Sequence, residues 1–201
     1  MKFILLVAIG VVVVMLFKSL RKKKETEVEE TESYDWTLDD LGAGGVISIL
    51  GTDYLVEQRS LYAADGAEWH EAKLVGDKSE VWWLTWESDD DDELSLTQEV
   101  DFHSVGVAPK ELEELAEEGV GTVEYDSETY HLDEAAEADY FEGDADEGRH
   151  QYYWDFVDEH GVRTLGIVLW ESRSYDAYVG SNIPASQVDI LRPNDDDEDD
   201  D

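Results

Sequence analysis

The chain begins with an uncharged apolar run, Phe3–Phe17, followed at once by Lys18, Arg21 and the three lysines 22–24. As a helix this run spans about 22 Å, less than the roughly 30 Å hydrocarbon core of a bilayer, and the flanking Lys2 and Lys18 lengthen it by snorkelling. The length also suits a secretory signal peptide, but no small-x-small cleavage site follows it. Positive charge is retained on the cytoplasmic side of a membrane. We therefore predict an uncleaved, single-pass transmembrane anchor over residues 1–18, with residues 3–17 in membrane lipid and the remaining chain in the cytoplasm.

The rest of the chain is strongly acidic. The formal net charge is −38, from 52 acidic and 14 basic residues, and there is no cysteine. Such a field repels nucleic acid phosphates, so we expect no nucleic acid partner, and it attracts cations or basic partners. Adaptation to high salt explains the acidic excess equally well. The lack of cysteine excludes disulfides, thiolate nucleophiles and cysteine-ligated zinc.

Composition divides the chain into segments. Residues 19–35 change from basic to acidic without a periodic apolar face, which indicates a charged tether. Residues 192–201 end in a run of aspartates that has nothing to bury, so we predict a disordered acidic tail. The predicted folded domain is residues 36–191.

Strand patterns dominate this domain. Residues 45–50 and 54–58 are apolar and extended, with a turn at Gly51, which predicts a hairpin. Further strands are predicted over residues 68–74, 81–87 and 94–102, with an acidic loop at 89–93. One short helix is predicted from Pro109 to Gly119, because Leu112, Leu115 and Ala116 form an apolar stripe.

The second half of the domain resembles the first. Residues 54–56 (Tyr-Leu-Val) correspond to residues 130–132 (Tyr-His-Leu). Trp69 and Trp86 are 17 residues apart, and Trp154 and Trp170 are 16 apart. These landmarks predict two duplicated meanders, although a tryptophan-rich chain produces such spacings by chance as well. The predicted fold is mainly β, an antiparallel sandwich or a partly closed barrel, in addition to the N-terminal helix.

The histidines and carboxylates do not form a recognisable catalytic pattern. On a strand His70 shares a face with Glu68, while Trp69 and Glu71 share the other. His70 is interpreted as a surface histidine, with a metal ligand or proton relay as the alternative. The other histidines are scattered, and with 52 carboxylates some pairs are close by chance.

Other site motifs are missing from the sequence. The acidic segment 89–93 lacks the glycine and ligand spacing of a calcium loop, and the chain has neither a Gly-x-Ser-x-Gly elbow nor a phosphate-binding glycine loop. We therefore predict no catalytic residues, no metal site and no cofactor. Trp83 either belongs to a core or forms an exposed binding patch with Tyr152 and Tyr153.

The order of several landmarks resembles the bacterial and archaeal domain of unknown function 4178. The resemblance covers residues 38–191 and is carried by Gly51, Tyr54 and Val56; Trp69, Glu71 and Leu74; Trp83, Leu84 and Glu87; Tyr130 and Gly143; and the segments 167–171 and 178–180. It implies a β-rich fold, often anchored to a membrane, and transfers no catalytic residues. The strong acidity and the aspartate tail depart from the family pattern.

Two functional hypotheses follow. The first is a membrane-anchored, non-catalytic interaction or regulatory domain that binds a protein partner and has a surface poor in pockets. The second is a ligand- or cation-binding sensor domain at the membrane surface, with an aromatic-lined groove or an acidic cluster.

Overall fold

A computed structural model describes residues 36–64, 66–87, 90–143 and 145–193, with the side chains of residues 90–93 left out of the description. The predicted anchor, the tether and residues 194–201 of the predicted tail lie outside these ranges. Within them, no helix has the length and apolar character needed to cross a bilayer.

The described residues form two consecutive five-stranded meanders, followed by a last strand that pairs with the first one. The first meander contains β1 (Val46–Ile49), β2 (Thr52–Ala64), β3 (Ala67–Val75), β4 (Val81–Glu87) and β5 (Asp90–Val100). The second contains β6 (Thr122–Tyr125), β7 (Glu128–Glu142), β8 (Arg149–Asp158), β9 (Arg163–Trp170) and β10 (Tyr175–Pro184), and β11 (Val188–Arg192) follows it. Helices α1 (Phe102–Val105) and α2 (Pro109–Glu118) connect the meanders, and 3₁₀ turns occur at Leu38–Asp40 and Ala185–Gln187.

The sheet closes into an eight-stranded antiparallel barrel. Its strand order is β2-β3-β4-β5-β10-β9-β8-β7, and β7 pairs with β2 to complete the ring. Strand β6 extends the sheet beyond β7, while β1 and then β11 extend it beyond β2. The sequence left a sandwich and a partly closed barrel open, and the pairing of Tyr62 with Tyr140 across β2 and β7 closes the ring.

Equivalent irregularities occur in the two meanders. Each opens with a two-residue turn of positive φ, Leu50-Gly51 in the first and Asp126-Ser127 in the second. Three residues after Tyr54, and likewise three after Tyr130, a bulge interrupts the pairing of the long strand. The predicted correspondence of residues 54–56 with 130–132 is therefore confirmed in the strand register.

Each bulge reverses the side of the sheet that the following residues face. Val56, before the first bulge, is buried outside the barrel, whereas Tyr62, after it, lines the barrel interior. The same change separates Tyr130 from Glu134 in β7.

Two apolar cores lie outside the barrel. In the first, residues of β1 and β11 pack with the outward side chains of β2–β5, such as Leu74, Leu84 and Trp86. In the second, α1 and α2 cover the outward side chains of β8–β10, such as Phe156 and Ile167. The covered outer face of the barrel is thus apolar, which leaves its inner face free for other side chains.

The predicted helix is confirmed as α2. Pro109 occupies its first turn, Leu112 is fully buried, and Gly119 ends it in the left-handed conformation. Trp154 Nε1 donates a 2.9 Å hydrogen bond to the Leu112 carbonyl oxygen, which fixes the helix to β8.

The predicted matching of tryptophans between the halves is wrong. Trp69 lines the barrel interior, whereas Trp154 packs in the helix-covered core. Trp86 is buried in the other outer core, whereas Trp170 lines the interior. Successive strand residues face opposite sides, so similar spacing along the chain did not place these rings in equivalent positions.

Three predicted boundaries also change. Residues 90–93, predicted as part of an acidic loop, belong to β5, whose Glu93 is the register partner of Pro184 in β10. The strand predicted to reach Phe102 ends at Val100, because Asp101 caps α1 by accepting a hydrogen bond from the His103 backbone. Strand β11 extends to Arg192, one residue into the predicted tail.

Candidate functional site: the barrel lumen

The barrel encloses two contiguous cavities. The inner cavity has a volume of about 180 Å³ and the outer one about 490 Å³. Both are lined by Trp69, Thr85, Ser95, Tyr153 and Asp155, so the outer cavity leads into the inner one. An eight-stranded barrel is just wide enough to be filled by side chains or to hold one small ligand. Here part of the interior is empty.

Aromatic rings form one part of the wall. Tyr62 and Trp69 stack with their centroids 5.2 Å apart and their planes 4° apart, and Tyr153 meets Trp69 edge-on at 5.6 Å. Trp170 and Tyr178 also line the inner cavity. Ring faces of this kind attract cations and apolar groups through their electron-rich surfaces.

Glu71 is one of two carboxyl groups that line the inner cavity among the residues that the structure describes. It lies on β3 next to Trp69 on the inward face, and its Oε1 accepts a 3.0 Å hydrogen bond from the Tyr62 hydroxyl. Burial raises the pKa of Glu71 to about 7, and the hydrogen bond from Tyr62 offsets only part of that effect. Near neutral pH the protonated and ionised forms of this group are therefore both populated.

Asp155 is the second carboxyl group. The residue keeps an exposed surface and lines both cavities. Burial, together with repulsion from Glu134 and Asp133, raises the pKa of Asp155 to about 7.

A glycine makes room for the Asp155 carboxyl. Asp155 and Lys73 occupy equivalent positions, each paired with the first residue after the bulge. Their partners on the next strand are Gly166 and Trp83, respectively. A Cβ atom at Gly166 would lie 3.4 Å from Asp155 Oδ1. The second meander thus leaves a space where the first has an indole ring.

Gln151 contributes a polar atom that has no hydrogen-bond partner in the described part of the chain. Its side chain lines the inner cavity on the same face of β8 as Tyr153 and Asp155, and the residue is only 2% exposed. Its Oε1 accepts no hydrogen bond from the described residues. A buried acceptor in this state costs about 1–3 kcal/mol.

The lumen is electrostatically one-sided. Glu71 and Asp155 line the inner cavity, and Glu87 and Glu134 join Asp155 around the outer one. Among the residues that the structure describes, no lysine, arginine or histidine lines either cavity. The site therefore offers hydrogen-bond acceptors, negative charge and ring faces, but no cationic side chain.

Arg149 marks one boundary of this region. Its guanidinium lies 4.8 Å from the ring centre of Tyr140 and 5.1 Å from that of Trp170, and it forms a 3.2 Å ion pair with Glu142. The Tyr140 hydroxyl accepts hydrogen bonds from Gln58 and Ser60. These contacts hold Tyr140 and Trp170 against each other beside the inner cavity.

The structure separates the residues that the sequence singled out. His70 is not a surface histidine: it is half-buried against Trp86, 5.4 Å between ring centres, and its Nδ1 is buried without a hydrogen-bond partner among the described residues. Burial, followed by the nearby Arg59, lowers the pKa of His70. No three histidine or acidic side chains in the described part of the chain are placed to hold a metal ion.

The proposed aromatic patch is also divided by the barrel wall. Trp83 contacts Tyr178 edge-on at 5.3 Å, on the inward side of β4. Tyr153 lines the cavities, whereas Tyr152 lies on the other face of β8 beside Trp154. These rings do not form one exposed surface.

Sequence reasoning missed the residues that define the lumen. It placed Trp69 and Glu71 correctly on one strand face, but it did not identify that face as a cavity wall. The sequence around Gln151 and Asp155 contains no motif that marks a binding site, only their alternation with residues that face outward. Only ring closure brings residues of β3 and β8 to the same cavity.

Comparison with known proteins gives one family. The model described as "Domain of unknown function (DUF4178)" matches residues 42–185, which is more than half of the chain. No curated protein and no solved structure matches the chain. The matched region includes every strand of the barrel.

Proposed function

The chain belongs to the DUF4178 family, whose description names no activity, and we propose that this member is a non-catalytic domain that binds a small molecule inside its barrel. The observation that supports this proposal is the pair of contiguous cavities, whose wall includes Gln151, a residue with a buried Oε1 that no described residue hydrogen-bonds. Their volumes of about 180 and 490 Å³ suit a molecule smaller than, or similar to, the ligands of ordinary pockets.

This proposal favours the second sequence-based hypothesis over the first. A domain that only docks a protein has no need of an open interior, and a core without empty space is more stable. Here Gly166 keeps space beside Asp155, and two carboxyl groups are held in the interior at a cost to stability. Such features are more common at binding sites than in structural cores.

A plugged barrel tests the proposal. Gly166→Leu places an isobutyl group in the inner cavity, and Thr97→Tyr fills it from the neighbouring wall. The full chain and both variants are exposed to a fragment set with equal numbers of neutral, anionic and cationic molecules, and binding is read by saturation-transfer NMR. We expect some fragments to bind wild type and to lose binding in both variants. If no fragment binds wild type, or if all binders bind the plugged barrels equally well, the proposal is wrong.

We also propose that residues 1–18 hold this barrel at the cytoplasmic face of a membrane, as a sensor of ligand concentration with a protein partner there. The support is the apolar run 3–17 and the basic cluster after it. The test is fractionation of cells that express the full chain, followed by protease treatment of right-side-out vesicles with tags at either end. We expect pelleted protein with a protected C-terminal tag. Recovery of the full chain in the soluble fraction would contradict the anchor.

A further inference from the structure

The two halves of the barrel wall differ in chemistry, and the difference indicates a class of ligand. We infer that the barrel binds a neutral polyol of about the size of one sugar ring. Its C–H face lies against aromatic rings on one half of the wall, and its hydroxyl groups pair with serine and threonine side chains on the other. This inference rests on the proposed binding function and specifies its ligand class.

The strand order separates an aromatic half from a hydroxyl half. Strands β8, β7, β2 and β3 are consecutive in the ring, and on their inner side Tyr62, Trp69 and Tyr153 are in ring-to-ring contact. Strands β4, β5, β10 and β9 complete the ring. Trp170 and Tyr178 also line the inner cavity from these strands, but they do not line the outer one. The aliphatic hydroxyl residues of the inner cavity all belong to this second half: Thr85, Ser95, Thr97 and Thr164.

Both halves reach the place where the two cavities join. Trp69 and Tyr153 from the aromatic half line both cavities, and so do Thr85 and Ser95 from the hydroxyl half. Trp69 keeps part of its surface exposed. A molecule at this junction therefore has ring surface on one side and hydroxyl groups on another. A sugar ring matches this arrangement, because its C–H faces are apolar while hydroxyl groups surround its edge.

The hydroxyl half has unused hydrogen-bonding capacity. Ser95 Oγ and Thr164 Oγ1 lie 3.5 Å apart, longer than a well-formed hydrogen bond between hydroxyls. This is the one side-chain hydrogen bond that the described residues provide for the four serine and threonine side chains. Each hydroxyl can both donate and accept. Such a set suits a ligand whose own groups also do both.

Small residues keep space in front of the hydroxyl half. Gly166 lies two residues after Thr164 on the inward face of β9, and Gly180 is the register partner of both Thr97 and Thr164. The inner cavity of about 180 Å³ is smaller than the pockets of roughly 300–1,000 Å³ that hold drug-sized ligands. The size therefore favours a ligand of a single ring.

The charge of the lumen favours a neutral ligand over an anionic one. Glu71 and Asp155 line the inner cavity, and among the described residues no lysine, arginine or histidine lines it. A sugar acid or sugar phosphate would be repelled there. A polyol carries hydroxyls around its whole ring, so each carboxyl group can accept from a different hydroxyl, and the two need not converge on one point.

The experiment compares ring compounds that differ in hydroxyl number and charge. The polyols are D-glucose, D-galactose and myo-inositol, and the controls are cyclohexanol, D-glucuronate and D-glucosamine, each titrated into the full chain at constant ionic strength and followed by saturation-transfer NMR. The detergent has no sugar headgroup, since alkyl glycosides would compete. We expect at least one polyol to bind at least about tenfold more tightly than cyclohexanol, as several additional hydrogen bonds imply.

Matched variants locate the polyol between the two halves. Thr85→Val and Thr97→Val keep the side-chain volume and remove one hydroxyl, so each should weaken polyol binding about fivefold. Thr129→Val makes the same change at an exposed position of β7 and should leave the affinity unchanged.

A second pair of variants tests the aromatic half. Trp69→Leu should weaken polyol binding about fivefold or more, because it removes ring surface at the junction. Trp82→Leu, in the outer core, should leave it unchanged. Circular dichroism confirms that each variant is folded, and the two threonine variants decide alone if Trp69→Leu is not.

The outcomes distinguish this inference from the proposed binding function. If cyclohexanol binds as tightly as the polyols and is lost in the plugged barrels, the polyol inference is wrong while lumen binding stands. If D-glucuronate or D-glucosamine binds tenfold more tightly than every polyol, charge decides the affinity and the inference is wrong. Equal effects of Thr85→Val, Thr97→Val and Thr129→Val would also contradict it. If no polyol binds at millimolar concentration, the inference fails, and the fragment set decides separately on the barrel's binding function.

Discussion

Asp155 and Gly166 are cross-strand partners in β8 and β9, and a Cβ atom at position 166 would lie 3.4 Å from Asp155 Oδ1. The carboxyl group thus occupies a space that any larger residue at 166 would begin to close. Gly180, on the next strand, is constrained differently, because a Cβ atom there would overlap the Leu96 carbonyl oxygen. Glycine is therefore needed at position 180 to avoid a backbone clash, whereas at position 166 it leaves space beside a carboxyl group.

The first prediction uses this contrast. Gly166→Ala makes only an ordinary contact and reduces the entropy of the unfolded chain, so we expect a stability gain of up to about 1 kcal/mol in urea unfolding. The added methyl group also displaces water from Asp155, which should raise the pKa of that carboxyl further in carbon-13 NMR titration. Gly180→Ala, by contrast, should be destabilising. Equal effects of the two substitutions would contradict the described geometry.

The second prediction concerns pH. Burial raises the pKa values of Glu71 and Asp155 to about 7, above those of the unfolded chain. Their protonated forms stabilise the fold fully below the unfolded pKa values near 4, and that stability is lost as the pH rises through about 7. Wild type should therefore be more stable at pH 5 than at pH 8.

A matched pair of variants isolates this effect from the general relief of acidic repulsion. Glu71→Gln mimics the protonated carboxyl, so we expect it to raise stability at pH 8 by roughly 1–2 kcal/mol, after allowance for screening by cavity water, and to change little at pH 5. Glu68→Gln removes a charge from the outer face and should show no such pH dependence. Thermal unfolding across pH 5–8 measures the difference, and identical profiles for the two variants would rule out a buried Glu71 carboxylate.

The third prediction concerns helix docking. Trp154→Phe retains an aromatic ring but removes the Nε1 hydrogen bond to the Leu112 carbonyl. The carbonyl then loses a buried partner, so we expect a loss of about 1–3 kcal/mol in chemical denaturation. Relative to wild type, the substitution should accelerate amide hydrogen exchange in α2 more than in β3. Trp82→Phe, at a half-buried position with no hydrogen bond to this helix, is the control.

The fourth prediction concerns the turn that opens the second meander. Asp126 and Ser127 have φ values of 49° and 67°, which glycine adopts without strain and serine does not. Ser127→Gly creates an Asp-Gly turn and should stabilise the fold by about 0.5–1 kcal/mol. Thr129→Gly, in the extended strand that follows, should destabilise it. A loss of stability from Ser127→Gly would contradict the turn geometry.

Local features of this fold were predictable because neighbouring residues determine them. The turn at Gly51 and the helix end at Gly119 both need a backbone conformation that glycine adopts at little cost. The alternation that puts Trp69 and Glu71 on one face of β3 follows from the period of two in any strand. The β-rich class follows from the repetition of such segments.

The comparison of the two halves shows where sequence patterns stop being sufficient. Tyr54 and Tyr130 occupy equivalent positions, because each is the third residue after the turn that precedes its strand. Beyond the bulges, residues at the same distance from the turn are no longer equivalent, since the loops between the later strands differ in length. Trp69 and Trp154 therefore face opposite sides of the barrel wall despite their similar spacing from Trp86 and Trp170.

The sequence by itself determined the acidic charge, the strand-rich composition, the short helix and the apolar N-terminal run that predicts an anchor. Only the tertiary structure decided that β2 pairs with β7, and hence that Glu71, Gln151 and Asp155 line one cavity. The physical reason is that alternation depends on adjacent residues, whereas closure and register depend on pairing between strands some 80 residues apart. A bulge of one residue is enough to exchange the inner and outer faces, and no local pattern specifies which face becomes the lumen.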